Sequence, residues 1–165
     1  MIINLLSYLT AFGLLFLIFF LVFRSFFYRG YLLKKWNKLR KYFLHFALTI
    51  SLLATFGSLY LSNVLGFNPC PLCWYQRIFM YPIPILIIGS LYFKDNNIAR
   101  YINPLAVIGL LFSIYHYVVQ FSANVACVGD SLDCSIRYIF ELGFITIPFM
   151  AGTAFLLILL FVNQR

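Results

Sequence analysis

Charged positions divide the chain into long apolar blocks. No Asp, Glu, Lys or Arg occurs in 1–23, 42–76, 78–93, 101–129 or 142–164. These blocks lack the period-2 alternation, over segments of about ten residues, that a membrane barrel strand carries. About 20 helical residues cross a hydrocarbon core, and a chain in lipid must satisfy its own backbone hydrogen bonds. The pattern therefore predicts five spanning helices, near 4–23, 43–65, 74–93, 102–121 and 143–162. The expected fold class is an all-α polytopic membrane protein: a four-helix transmembrane bundle (43–162) plus one extra N-terminal transmembrane helix (1–23). A basic loop (24–42) joins the two, and 163–165 form a short tail. There is no internal repeat and little chain left for a soluble domain. Met1–Asn4 carries no positive charge, the apolar run is long and no A-x-A-like site follows. The first helix reads as a retained anchor, not a cleaved signal.

Composition agrees. Of 165 residues, 64% are hydrophobic and 10% charged, against roughly 45–50% and about 25% for a soluble domain. That excludes a soluble monomer and a disordered chain. The net charge of +8 does not mark a nucleic-acid face, because seven of the twelve basic residues lie between Arg24 and Lys41, not along a groove. Ten of the twelve fall in 24–42, 94–101 and the tail. Basic loops stay on the cytoplasmic side, so the N-terminus is expected outside and the C-terminus inside. The sites of Arg77, Arg137, Asp130, Asp133 and Glu141 are then outside.

All four cysteines fall on that outer side, as Cys70 with Cys73 and Cys127 with Cys134. Disulfides persist outside the reducing cytosol, so the layout points to redox work or to structural bridges. Pro69 and Pro71 suit a turn and a first helical position. Cys70–Cys73 should then stand at a helix N-terminus, where the helix dipole favours a thiolate. Arg77 follows Cys73 by four residues, on one helix face. The run 78–93 is only 16 residues, so a full span draws Arg77 into the membrane edge, where a charge marks a functional site. It would stabilise a thiolate or hold a carbonyl oxygen of a redox ligand; the plain alternative is snorkelling to headgroups. The segment between Cys127 and Cys134 is polar and turn-forming, suiting an exposed, labile bridge.

The run Cys70-Pro71-Leu72-Cys73-Trp74-Tyr75-Gln76-Arg77, with Met80-Tyr81-Pro82, Tyr115-His116-Tyr117 and Gly143-Phe144-Ile145-Thr146-Ile147-Pro148-Phe149, resembles the DsbB/BdbC thiol–quinone oxidoreductases. The likeness covers about 43–162. It implies a bacterial cell (inner) membrane enzyme that reoxidises a soluble, extracytoplasmic DsbA/BdbD-like thioredoxin-fold oxidase. Electrons pass to the membrane quinone pool, ubiquinone or menaquinone, which is a known way of keeping the periplasm oxidising. By this resemblance Cys127 and Cys134 form the disulfide offered to the partner, with Cys127 taking the mixed disulfide and Cys134 linking to Cys70. Cys73 would be the thiolate in contact with quinone, and Arg77 would orient and polarise it. The second pair is separated by six residues, more like the BdbC branch than the longer segment of the familiar periplasmic enzymes. The helix 4–23 has no counterpart in the four-helix core.

His116 lies five residues before the end of its span, about 7.5 Å down, near the depth of Arg77. It is a candidate to hydrogen-bond a quinone oxygen; the alternative is a helix–helix hydrogen bond. Three other readings compete with the enzyme. A membrane scaffold with structural disulfides leaves Arg77 unexplained. Structural zinc wants paired C-x-x-C or His partners, which Cys127/Cys134 do not offer, so no metal is expected. A transporter would carry ionisable residues near mid-membrane, and Pro82 and Pro84 read more simply as a kink.

Overall fold

The computed structural model describes residues 7–8, 10–15, 33–95, 97–122, 134 and 136–163. After helical residues at 10–15 come five helices: α1 (Leu33–Asn63), α2 (Pro71–Met80), α3 (Pro82–Phe93), α4 (Ala99–Phe121) and α5 (Ile147–Val162). Among the described residues there is no strand, only an isolated bridge between Glu141 and Ile145. The protein is all-α and polytopic. Three stretches are long and apolar enough to cross a membrane, Tyr42–Asn63, Pro71–Phe93 and Ala99–Phe121, and α5 is a shorter apolar helix. Most of the expected first span, 4–23, lies outside the described residues.

The helix ends differ from the charge-defined blocks for local reasons. Helix α1 starts at Leu33, inside the expected basic loop, because no Gly or Pro interrupts 31–56 and Lys, Arg and Leu favour helix. Helix α2 starts at Pro71, which needs no N–H in the first turn. The expected single span 74–93 is jointed at Tyr81. Pro82 and Pro84 have no N–H to return to the carbonyls of Ile78 and Met80, yet Tyr81 keeps helical angles (φ −65, ψ −33), so the axis bends without unravelling. Helix α5 starts at Ile147, four residues later than expected, because Leu142 and Gly143 take left-handed angles (φ 53 and 79) in the preceding turn.

The bundle exposes apolar side chains, as lipid requires, and buries several polar ones beside its apolar core. Phe46, Leu53, Phe56, Ile85, Ile88, Leu111 and Ile114 are exposed, while Ser51, Gln76, Ser113, His116, Gln120 and Thr153 are buried. The main apolar core joins Leu44 and Ala47 of α1, Ile83 and Ile87 of α3, Ile102 and Ala106 of α4, and Phe155 and Ile158 of α5. At the cysteine-bearing end, a smaller cluster joins Cys70, Leu72, Val119 and Cys134. The α4–α5 seam depends on small residues. A Cβ at Gly109 would overlap the Phe155 ring, and one at Gly152 would come 3.4 Å from Ser113 Cβ. The spacing of Gly109 and Ser113 suits such close packing. Ser113 then returns its hydroxyl to Gly109 O at 2.9 Å.

This seam gives a paired prediction. Gly109→Ala should destabilise the detergent-solubilised protein by about 1–3 kcal/mol through overpacking. Gly89→Ala, where an added Cβ meets nothing within 4 Å, should leave the melting temperature unchanged or raise it. Equal melting of the two variants would contradict the tight seam.

Candidate functional site

Helix α2 presents the chemistry at its first turn. Cys70 is its N-cap, with extended angles (φ −68, ψ 167), and its carbonyl accepts from Trp74 N at 3.2 Å. Cys73 follows one turn later. Both are free cysteines, Cys70 buried and Cys73 half-buried, with sulfurs 3.2 Å apart.

Two polar side chains that the apolar bundle buries complete the arrangement. Gln76, one turn below Cys73, points its Nε2 at His116 Nδ1 of α4 at 3.2 Å. An amide nitrogen only donates, so Nδ1 accepts, and the neutral ring carries its proton on Nε2. That Nε2 lies 3.6 Å from Cys70 Sγ. His116 Nε2 therefore donates to Cys70, whose sulfur also lies within hydrogen-bond distance of Cys73 Sγ. The Cys73 thiol is the largest cause holding Cys70 below its ordinary 9.0, at about 4. Burial pushes the other way, and the His116 hydrogen bond adds to the lowering. These contacts favour the thiolate form of Cys70.

Arg77 turns to α1, not to the sulfurs. Its Nε donates to Ser58 Oγ (3.0 Å) and its Nη2 to Ser58 O (3.1 Å), with the guanidinium 5.4 Å from the Trp74 ring centroid. Among the described residues, Nη1 has no partner. Arg77 is thus fixed between two helices with one donor nitrogen to spare.

Cys134 is disulfide-bonded and buried against Cys70, Leu72 and Val119. Cys127 lies outside the described residues. A cavity of about 470 Å³ opens beside these groups. Cys70, Cys73, Arg77, His116, Gln120 and Cys134 line one end, and Phe46, Leu53, Leu157 and Phe161 line the rest. The volume is that of a small-molecule site, and Oε1 of Gln120 is buried there without a partner. The donor set suits an organic acceptor with carbonyl oxygens and an apolar body. Cys70, Cys73 and His116 also bring three ligand atoms within 4.8 Å of one another, a set a soft cation could occupy.

Of the expected site residues, the structure brings Cys70, Cys73, Cys134, Arg77 and His116 to one cavity. For His116 the structure shows the helix–helix hydrogen bond, the alternative reading, and both ring nitrogens face protein groups. Sequence reasoning missed Gln76, although a Gln inside an apolar run was its signal. It also missed Arg137, whose Nε and Nη2 donate to Gln120 O at 3.0 and 2.7 Å, with its guanidinium 4.3 Å from the Phe121 ring centroid. A cation on a terminal carbonyl of α4 suits the negative helix end and fixes the segment that follows Cys134.

A family model described as "Disulfide bond formation protein DsbB" matches residues 40–162. "Disulfide bond formation protein C" of Bacillus subtilis (strain 168) is 46% identical over 129 residues, 75% of this chain and 92% of that protein. The "SPbeta prophage-derived disulfide bond formation protein B" of the same organism is 43% identical over 66% of this chain and 75% of its own length. A "Probable disulfide formation protein" of Coxiella burnetii (strain CbuK_Q154) is 42% identical over 74% and 86%. No solved structure matches.

The Gln76–His116–Cys70 chain is testable alone. Gln76→Leu leaves a buried ring nitrogen without its donor and should cost about 1–3 kcal/mol of stability. It should also slow alkylation of Cys70 at pH 6, because Nε2 is no longer held as the protonated nitrogen. Wild-type melting and wild-type alkylation together would mean that packing alone holds His116.

Proposed function

We infer the function from one premise: the chain belongs to the DsbB family of disulfide bond formation proteins. It is a multi-pass membrane disulfide oxidoreductase. We propose that it reoxidises a soluble, extracytoplasmic thioredoxin-fold oxidase of the DsbA/BdbD kind and delivers the electrons to a membrane quinone. The bundle 43–162 is the catalytic unit in this reading, 1–23 an added anchor, 24–42 a basic cytoplasmic segment and 163–165 the tail. The observation that carries the reading is a free dithiol, Cys70 and Cys73, sharing one cavity with the disulfide-bonded Cys134 and with Arg77.

The residues divide the work as follows. The partner's dithiol reduces the Cys127–Cys134 disulfide, with Cys127 in the mixed disulfide. Cys134, packed against Cys70, then attacks that sulfur in a Cys70–Cys73 disulfide and releases Cys73. Exchange then returns the second pair to its disulfide and leaves Cys70 and Cys73 as the dithiol, the arrangement described above. Closing the bond between the Cys70 thiolate and the Cys73 thiol gives up two electrons and one proton. A quinone, when bound, would supply the two-electron sink, with its second proton taken from solvent. Arg77 holds a carbonyl oxygen through its unpaired nitrogen. Cys73 faces the acceptor and passes the electron pair to it, and Cys70 closes the S–S bond as Cys73 is oxidised. His116, with its proton on Nε2, supports the Cys70 thiolate; its contacts favour this role over a direct bond to the quinone.

Orientation follows the charges. Basic residues concentrate in 24–42, 94–101 and the tail, which favours a cytoplasmic C-terminus, an external N-terminus and external cysteines in a bacterial cell membrane. The scaffold alternative needs all bridges closed at rest, and the free Cys70 and Cys73 weigh against it.

The test combines purified protein, a reduced thioredoxin-fold partner and a soluble quinone analogue, with quinone absorbance as the readout. Cys73→Ser should abolish quinone reduction, and Arg77→Ala should slow it by about 10²-fold, as loss of one positioned donor does. Cys127→Ser should stop partner oxidation while a small dithiol still feeds Cys70 and Cys73. Full rates in all three variants would refute the assignment.

A further inference from the structure

The N-terminal segment lies outside the matched residues 40–162, so family membership assigns it no task. Its packing does. Ala11 rests on the cluster of Leu61, Ile139, Ile145 and Met150 at the cysteine-bearing end. Gly13 meets α5, where an added Cβ would come 3.2 Å from Leu157 Cδ1 and 3.9 Å from Thr153 Cγ2. A small residue at such a crossing lets a helix seat closely in a membrane. Thr10 returns its hydroxyl to Ser7 O at 2.7 Å, so it presents no free polar group. Thr10, Phe12 and Gly13 line the same cavity as Cys73 and Arg77. Phe12 is nevertheless 68% exposed, which puts it at the cavity margin.

The shape of the cavity says what such a wall would touch. Its polar groups gather at the cysteine end, and its lining follows α5 from Ile147 to Phe161, about 21 Å along the axis. That exceeds the length of any single quinone ring. The added length is walled by α1, α5 and the N-terminal segment, mostly apolar there, with the hydroxyls of Thr10 and Thr153 returned to their own helices.

We propose that residues 10–15 form a wall of the acceptor cavity and select acceptors by their apolar tail. This rests on the quinone reading above and extends it to the part of the chain that the family bundle lacks. Phe12 contacts the tail, and Gly13 is a positioning residue that holds the wall against α5. The ring end of the acceptor, held near Arg77, does not depend on either.

Binding measured without turnover tests this. Trp74, beside Arg77, reports quinone binding by fluorescence quenching once Trp36 is replaced by Phe in the full-length protein. A decyl-tailed and a tailless benzoquinone are titrated in parallel. Gly13→Leu should weaken the decyl compound about tenfold, or about 1.4 kcal/mol, and leave the tailless one unchanged. Phe12→Ala, which unpacks no buried side chain, should weaken the decyl compound about threefold and decides the matter if Gly13→Leu does not fold. Gly13→Ala should bind as wild type, because the end of the Leu157 side chain can shift slightly. Wild-type affinities in both Gly13→Leu and Phe12→Ala, or an equal loss for both compounds, would overturn the wall while leaving the quinone reading intact. Failure of the unaltered protein to bind either quinone would overturn both.

Discussion

A sulfur anion at the start of a membrane helix survives only if donors replace the water it has lost. The rest of the site is arranged around that constraint. Pro71 fixes where α2 begins, so Cys70 becomes its N-cap and Cys73 stands one turn on. Cys73 stands 3.2 Å from the Cys70 sulfur, and His116 supplies a donor to it. Gln76 decides which nitrogen of His116 carries the proton. These groups come from two helices, and the bundle holds the two in register through buried polar contacts that lipid cannot replace.

The same economy explains Arg77. A guanidinium at this depth would be costly if left alone, so Ser58 of α1 takes two of its nitrogens and Trp74 covers it. Fixed in this way, it adds positive charge to the cavity without swinging toward the sulfurs. Charge on the sulfurs and charge on the acceptor side are therefore handled by different residues.

Much of this was legible in the sequence. Spans followed from uncharged length, because lipid admits few alternatives to helix. The helix N-terminus at Cys70 followed from Pro71, and the close seam from Gly109 and Ser113. What the sequence could not carry was rotation between helices. Gln76 and His116 are 40 positions apart, and their meeting depends on how α2 turns against α4. Likewise the preference of Arg77 for Ser58 over Cys73 depends on the approach of α1. The ends of α1 and α5 were misjudged by several residues, because charge marks the limits of lipid and not the limits of a helix. The N-terminal segment read only as a retained anchor helix, and no function could be assigned to it from sequence.

Cys70 is more acidic than an ordinary thiol because Cys73 and His116 lie against its sulfur. The most direct measurement is the alkylation rate of Cys70 in the reduced, full-length protein, resolved by mass spectrometry across pH 3 to 9. With its titration lowered to about 4, Cys70 loses its proton well below neutrality, so its rate should rise below pH 6 and stay flat from pH 6 to 9. A rate that climbs about tenfold per pH unit through neutrality, as an ordinary thiol does, would contradict the account.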